Sequence, residues 1–290
     1  MDNNSPSVCV MMPVYNGAGT ILMALKSLVA QRYSNWTCVI VNDGSTDGTK
    51  AILDSLTDPR FKVIHLEQNG GRGAARQKCL EFVDGDLLTY LDADDFFHPE
   101  KLSAQVEALS DDSELELVCT EVLVFNEGFN PVGKRIKPEA KKKYYVYGKP
   151  LPISMATAMI RLDKAKTFTY NHSLDASEDI DFFTRYLDGG YYCHLPLPYY
   201  YYFVSSQNTS YRKILHYTWN EFLRGVSLLH TSLISATRVM LKAAVKWGIY
   251  AISVPIVGEN FFLKKRNRSL DKAEIITFRQ QLEKIQKIIL

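Results

Sequence analysis

The 290-residue sequence predicts an α/β fold: a mostly parallel, doubly wound sheet flanked by helices, followed by a C-terminal helical extension. Three observations predict it. Short apolar, β-favouring runs alternate with amphipathic stretches about every 25 to 30 residues in the first part of the chain, the spacing of βαβ units. Several runs end in polar or acidic residues: Tyr15-Asn16, Asn42-Asp43 and Asp92 to Asp95. After Tyr211 this alternation gives way to long helical periodicities.

Val8 to Met12 reads as the first strand, ended by Pro13. Gly17 and Gly19 open a helix whose apolar positions are Ile21, Leu22, Leu25, Leu28 and Val29. Thr37 to Val41 is the second strand, and Thr46 or Asp47 is the expected N-cap of a helix from Lys50 to Leu56. Phe61 to Leu66 is the third strand. Gly70, Gly71 and Gly73 lead into a helix from Ala74 to Phe82. Leu87 to Leu91 is rich in apolar and β-favouring residues, as expected of a strand buried on both faces. Pro99 begins a helix to about Leu109, and Leu115 to Val124 is a further strand.

Beyond Asn126 the pattern is irregular. Lys134 to Lys143 holds six basic residues in ten, and suits either a solvated loop or one that meets an acceptor or an anionic surface. Met155 to Ile160 is expected as a strand. Asp175 to Asp188 is expected as a helix capped by Asp175 or Ser177, with Phe182, Phe183, Tyr186 and Leu187 inward. Tyr191 to Val204, with Pro196 and Pro198, reads as strand and turn at a sheet edge. Ile214 to Lys246 is expected as one long amphipathic helix. The apolar Trp247 to Leu263 follows, then Lys264-Lys265-Arg266-Asn267-Arg268, then a closing helix with Ile275, Phe278, Leu282, Ile285 and Ile289. The expected division is a catalytic domain over 1–210, with a ligand-binding half to about 125 and a second half over 126–210, and a basic helical extension over 211–290.

The net charge of +2 hides an asymmetry: Tyr211 to Leu290 carries 14 Lys/Arg against 5 Asp/Glu, and the first 210 residues carry 20 against 27. An acidic body whose basic clusters lack a recognition module excludes nucleic acid as the expected partner. An apolar segment beside a basic cluster suits contact with an anionic membrane interface, or packing on the body or on a second copy. The five cysteines have no metal-site or redox spacing and mostly fall in apolar runs, as reduced core thiols do in the cytosol. The amino terminus has no apolar leader, and the uncharged run from Trp247 to Gly258 is too short to span a bilayer. The expected location is cytoplasmic, with peripheral contact at the inner face of the cell membrane.

Asp92, Asp94 and Asp95 sit at the carboxyl end of the fourth strand, the edge where open α/β sheets bind ligands. Clustered carboxylates repel, and a hard divalent cation relieves that repulsion; an acidic turn capping the next helix is the alternative. Right-handed crossovers bring Tyr15-Asn16 and Asn42-Asp43 to the same edge. Pro13, Val14, Tyr15 and Asn16 offer stacking and backbone contacts to a planar ring, and Asp43 an acceptor for a base N–H. Arg76, in Asn69 to Arg76, is placed for phosphate or a base edge. This glycine pattern is not the dinucleotide fingerprint.

Five segments in this order, VMMPVYNGAGTI, VIVNDGSTDGT, NGGRGAARQ, LTYLDADD and ASEDIDFF, resemble glycosyltransferase family 2, the inverting enzymes of the GT-A (Rossmann-like) fold. The resemblance covers roughly residues 7 to 205. It implies that Pro13, Tyr15 and Asp43 bind the base, usually uracil, and that Arg76 lies near base and phosphates. It implies that Asp92 and Asp94 form the metal motif for Mn²⁺ or Mg²⁺, Asp94 the more direct ligand, with Ala93 between them and Asp95 beside the sugar. Glu178 and Asp179 match the family's Glu-Asp pair, with Asp179 as catalytic base. Without the upstream segments, Glu178, Asp179 and Asp181 would read simply as an acidic first helical turn. Many members carry an arginine or histidine after the last strand; Tyr200 to Ser210 has neither, so no third metal ligand is expected there. His194 and His216 are expected to be structural.

The expected function is metal-dependent, inverting transfer of a hexosyl or N-acetylhexosaminyl group from a nucleoside-diphosphate sugar, UDP-linked by preference, to a glycan or lipid-linked glycan hydroxyl. The alternatives are a catalytically silent nucleotide-sugar-binding scaffold subunit and a nucleotidyltransferase.

Overall fold

Ten strands form one sheet in a computed structural model that describes residues 5–135, 141–147, 149, 151, 153–171, 174, 177–205, 211–227, 229, 233–257 and 267–290. They are β1 (Val8–Val14), β2 (Trp36–Asn42), β3 (Phe61–His65), β4 (Leu87–Tyr90), β5 (Phe96–Phe97), β6 (Leu115–Asn126), β7 (Pro131–Arg135), β8 (Lys143–Tyr144), β9 (Met159–Arg161) and β10 (Tyr191–Val204). The order across the sheet is β3-β2-β1-β4-β9-β6-β10-β5, with β7 on β6 and β8 on β10. The pairs β3/β2, β2/β1, β1/β4 and β6/β10 are parallel. Because β9 is antiparallel to both β4 and β6, those two strands point the same way. The carboxyl ends of β1, β2, β4, β6 and β10 therefore share one edge.

The helices are α1 (Ile21–Val29), α2 (Thr49–Asp54), α3 (Arg72–Phe82), α4 (Lys101–Asp111), α5 (Leu162–Ala165), α6 (Glu178–Tyr186), α7 (Tyr211–Ser227), α8 (Leu233–Val257) and α9 (Lys272–Gln286). Strand alternation explains their two layers. In β1, Val8, Val10 and Met12 face a cluster with Leu25 and Leu28 of α1 and Leu102 and Val106 of α4. Cys9 and Met11 face the other side, with Ala75 and Cys79 of α3 and Phe182 and Phe183 of α6. All five cysteines are free thiols, four of them buried.

Several elements differ from the sequence expectation, each for a local reason. Met155 to Ile160 is a 3-10 turn, Met155–Thr157, followed by β9. The turn's Thr157 carbonyl accepts a hydrogen bond from the Gln105 amide at 2.8 Å instead of joining a ladder. α2 begins after Gly48, while the Asp47 carboxylate accepts the Thr49 N–H at 3.0 Å. β10 is not at an edge but lies between β6 and the short β5, and Pro196 and Pro198 fall where its register on β6 breaks between Leu195 and Tyr200. The long helix expected from Ile214 to Lys246 is two helices, α7 and α8, folded back on each other. Gly225 permits their close approach, since a Cβ there would lie 2.5 Å from Met240. The basic stretch 136–140, the end of the apolar run at 258–266 and the segment 206–210 lie outside the described residues.

The closing helix returns to the body. α9 starts with a capping box between Asp271 and Glu274 and buries Phe278 and Ile285 against Phe96, Phe125 and Tyr201. Beneath β4, the buried Lys101 ammonium donates to Thr89 Oγ1 at 2.8 Å and Gln105 Oε1 at 2.7 Å. Gln105 in turn donates to the carbonyls of Val118 and Thr157. Burial holds the Lys101 amine well below the usual lysine range. This network pins β4, α4 and β6 from below the site-bearing edge.

His98, between β5 and α4, is 9% exposed, and its Nδ1 accepts the Glu100 N–H at 3.1 Å. Burial lowers the imidazole to about 4, so folding favours the neutral ring. The unfolded chain, with a pKa of about 6.5, binds the extra proton between these values, so stability is full above neutrality and falls as pH drops towards 4. At ~1.4 kcal/mol per unit, His98 contributes on the order of 3 kcal/mol to that fall. Denaturant titrations at pH 7 and pH 4 are expected to show a smaller loss in His98→Asn than in the wild type by about this amount. Parallel pH profiles would contradict the assignment.

Candidate active site at the carboxyl edge of the sheet

The loops at this edge are laced together before any ligand is considered. Asn16, in the left-handed region with φ 52°, donates its N–H to Ser45 Oγ at 2.9 Å and accepts the Thr46 N–H at 2.8 Å. Gly17 N–H donates to Thr49 Oγ1 at 2.9 Å, and Ala18 N–H to Asp47 at 3.0 Å. The β1 and β2 loops thus hold each other. Val14 is buried, Pro13 partly exposed, and the Tyr15 ring is half exposed at the rim.

Asp43 performs the next connection. It is 3% exposed, and its two oxygens accept the N–H groups of Gly70 at 2.8 Å and Gly71 at 3.0 Å. Gly71 has φ 84° at the N-cap of α3, and Gly44 has φ 65° with no room for a Cβ against the backbone of Gln68 and Asn69. Gly70 and Gly71, singled out in the sequence, and Gly44 turn the chain so that α3 starts against β2.

From the second turn of α3, Arg76 reaches three carboxylates. Its guanidinium lies 2.6 Å from Glu178, 3.4 Å from Asp92 and 3.7 Å from Asp179, and its side chain is 14% exposed. Burial works against the charge, but Asp92, Asp179 and Glu178 outweigh it and hold the guanidinium more firmly protonated than usual. Glu178, 2% exposed, is pushed above the ordinary carboxylate range by burial, with Arg76 opposing. Asp179 is more open, and its Oδ1 accepts the Ile180 N–H at 2.7 Å. Glu178, Asp179 and Asp181 occupy the first turn of α6, where the helix dipole favours negative charge. Asp181 turns to Arg185 at 2.7 Å, away from the cluster. Ser177 holds the N-cap position with φ 70° but makes no capping hydrogen bond; Asp175 lies outside the described residues.

The acidic loop after β4 divides. Asp92 and Asp94 are partly exposed, with the buried Ala93 between them. Asp95 is 1% exposed and turned inward: one oxygen accepts the Phe203 N–H at 2.7 Å and the other the Tyr200 hydroxyl at 2.7 Å. Tyr200 Oη also accepts the Asp92 N–H at 3.3 Å. Burial, then Asp94 and Asp92, push the Asp95 carboxyl well above its usual range. Asp95 thus fastens the loop to β10. Tyr200 is the site residue that the sequence did not reveal; its position in a run of four tyrosines carries no signal of this partner. His194 is buried on β10 edge-on to Tyr192, and the His216 side chain lies outside the described residues.

One guanidinium does not balance Asp92, Glu178 and Asp179, and Asp94 adds a further carboxylate. Asp92 and Asp94, both partly exposed on the acidic loop, offer the oxygen donors that a hard divalent cation takes. Among the described residues no three His, Cys, Asp or Glu side chains are gathered as a complete cage. Two carboxylates with the remaining positions left to phosphate and water are a usual magnesium arrangement.

Residues 9–168 match the family model described as Glycosyl transferase family 2. The chain is 31% identical over 195 residues to EpsE of Bacillus subtilis (strain 168), named as a glycosyltransferase; the match covers 65% of this chain and 69% of EpsE. It is 38% identical over 115 residues to TuaG of the same organism, named for teichuronic acid biosynthesis, covering 39% of this chain and 46% of TuaG. The fold is shared with S. aureus TarS 1-349 in complex with UDP-GlcNAc, at TM-score 0.63 and 20% identity over 96% of this chain and 80% of that one. It is also shared with the mannosyltransferase PcManGT of Pyrobaculum calidifontis in complex with GDP-Man and Mn2+, at TM-score 0.60 and 15% identity over 97% and 88%.

Removing one partner of a buried ion pair costs about 3–5 kcal/mol because the other is left uncompensated. Arg76→Met is expected to lower stability by that order in urea denaturation. Adding Glu178→Gln is expected to recover part of the loss, since the stranded carboxylate is then gone. Additive losses would contradict the pairing.

Proposed function

The chain belongs to glycosyltransferase family 2, and from that premise we propose that it transfers a sugar, with inversion, from a UDP-sugar to a hydroxyl of a glycan or lipid-linked glycan in polysaccharide biosynthesis. The observation that carries this reading is the Arg76 junction, which brings Asp92 of the acidic loop and Glu178-Asp179 of α6 to one place. Residues 1–125 would hold the donor, 126–210 the acceptor. The GT-A relatives solved with UDP-GlcNAc and with GDP-Man and Mn2+ support a nucleotide-sugar in this fold.

In this proposal Pro13, Val14, Tyr15 and Asn16 flank the base, with the exposed Tyr15 ring available for stacking. Asp43 keeps accepting capacity for a base N–H while it holds Gly70 and Gly71, because each carboxylate oxygen has two lone pairs. Asp92 and Asp94, with Ala93 between them, would hold Mg²⁺ or Mn²⁺, which would supply Lewis-acid stabilisation of the departing diphosphate. Asp95, which the family resemblance puts beside the sugar, also fixes the loop that presents them. Arg76 stands between the donor phosphates and the base end of the site. Asp179, the more open member of the Glu-Asp pair, takes the proton of the acceptor hydroxyl as it attacks the anomeric carbon from the face opposite the leaving group. Glu178, buried against Arg76, sets the position of the α6 start.

A turnover screen of UDP-, GDP- and dTDP-sugars with Mn2+ is expected to single out a UDP-sugar. Asp179→Asn is expected to lower transfer by about 10²- to 10⁴-fold while donor binding persists. Turnover that survives both chelation and Asp179→Asn overturns the mechanism. Release of pyrophosphate in place of UDP would identify a nucleotidyltransferase, and donor binding without transfer to any acceptor would identify a scaffold subunit.

A further inference from the structure

The α7–α8 hairpin has two apolar faces, and among the described residues the inner one packs α7 against α8. Its inner face closes on itself: Ala236 and Ala243 are buried, and Met240 lies against Gly225. Along the outer side of α8, Leu241, Val245, Ile249 and Ile252 follow at helical spacing and are 69%, 54%, 54% and 70% exposed. On α7, Trp219, Leu223 and Val226 are also exposed. A soluble surface rarely leaves so much apolar area together.

The charges beside this stripe say what covers it. Arg238 and Lys242, four residues apart, form a basic row along its flank, and Lys246 continues their spacing but turns to α7. α8 has no acidic residue, and α7 has only Glu221, which Lys246 already holds at 3.0 Å. Residues 211–290 carry 14 Lys/Arg against 5 Asp/Glu, whereas the rest of the chain is acidic. A second copy packed face to face would set basic row near basic row with no free acidic partner in either helix. An anionic lipid surface offers both complements: acyl chains for the stripe and headgroups for the row, with long basic side chains reaching outward from apolar stems. Among the described residues no helix is long and apolar enough to cross a membrane, so the hairpin would lie in the interface.

We propose that the outer face of α7–α8 docks this protein on an anionic lipid bilayer. The hairpin starts close to the site. α7 starts seven residues after Val204, within about 25 Å of it even for a fully extended chain, and the adjacent Phe203 holds Asp95. A lipid-borne acceptor at the surface is thereby within reach of the catalytic edge.

The test uses the full chain with vesicles of neutral phosphatidylcholine and of phosphatidylcholine with phosphatidylglycerol, read by co-sedimentation and tryptophan emission. Trp219 and Trp247 are exposed and Trp36 is buried, so a blue shift reports the hairpin. Binding to the anionic vesicles is expected to exceed neutral binding at least tenfold and to weaken with salt. Leu241→Ser with Ile249→Ser, and separately Arg238→Gln with Lys242→Gln, are each expected to reduce it at least tenfold, with turnover on a soluble acceptor and helical content unchanged. Equal binding to both vesicle types, unaltered binding by both variants, or a self-association that the Leu241→Ser, Ile249→Ser variant abolishes without any vesicle binding by the wild type would overturn the proposal.

Discussion

The arrangement of this site depends on one buried cation among carboxylates drawn from distant parts of the chain. Arg76 comes from α3, Asp92 from the loop after β4, and Glu178 and Asp179 from the start of α6, about a hundred residues downstream. Left alone, these acids would repel one another and resist burial. With Arg76 among them, Glu178 can be 2% exposed, and α6 is fixed against the acidic loop. The residual negative charge is what a divalent cation and a diphosphate complex would meet at the open side.

Everything around this junction restrains its parts. Asp43 sets the start of α3 through Gly70 and Gly71, and so sets where Arg76 begins. Asp95 and Tyr200 tie the acidic loop to β10. Lys101, Thr89 and Gln105 hold β4 from underneath, where a charged lysine would be costly without its two hydrogen-bond acceptors. The site is thus preorganised by polar contacts between elements, on a sheet whose two apolar faces give it rigidity.

The sequence made the first half of this legible because strand alternation and acidic strand ends are local signals. The runs near Val8, Thr37, Phe61 and Leu87 became β1 to β4 with small boundary changes. The strand ends at Tyr15-Asn16, Asn42-Asp43 and Asp92 to Asp95 share one edge, as right-handed crossovers between parallel strands require. Long-range choices were not legible. Nothing local to Asp95 tells that it turns from the cleft to Tyr200 and Phe203. Nothing local to Met155 tells that Gln105 takes a carbonyl from the would-be strand. A continuous helical periodicity from Ile214 to Lys246 does not reveal a reversal, because both halves keep the same apolar spacing after folding back. Phe278 and Ile285 marked a helix face, but only Phe96, Phe125 and Tyr201 show that this face belongs to the body.

The central claim is that Arg76 joins the acidic loop and the start of α6 into one cooperative unit. Hydrogen–deuterium exchange on Arg76→Gln and wild type tests it most directly. The claim predicts that amides at Asp92 to Asp95 and at Asp179 to Phe182 lose protection together, while those of β1 and β2 are unchanged. Faster exchange confined to α3, with both acidic segments as protected as before, would contradict it.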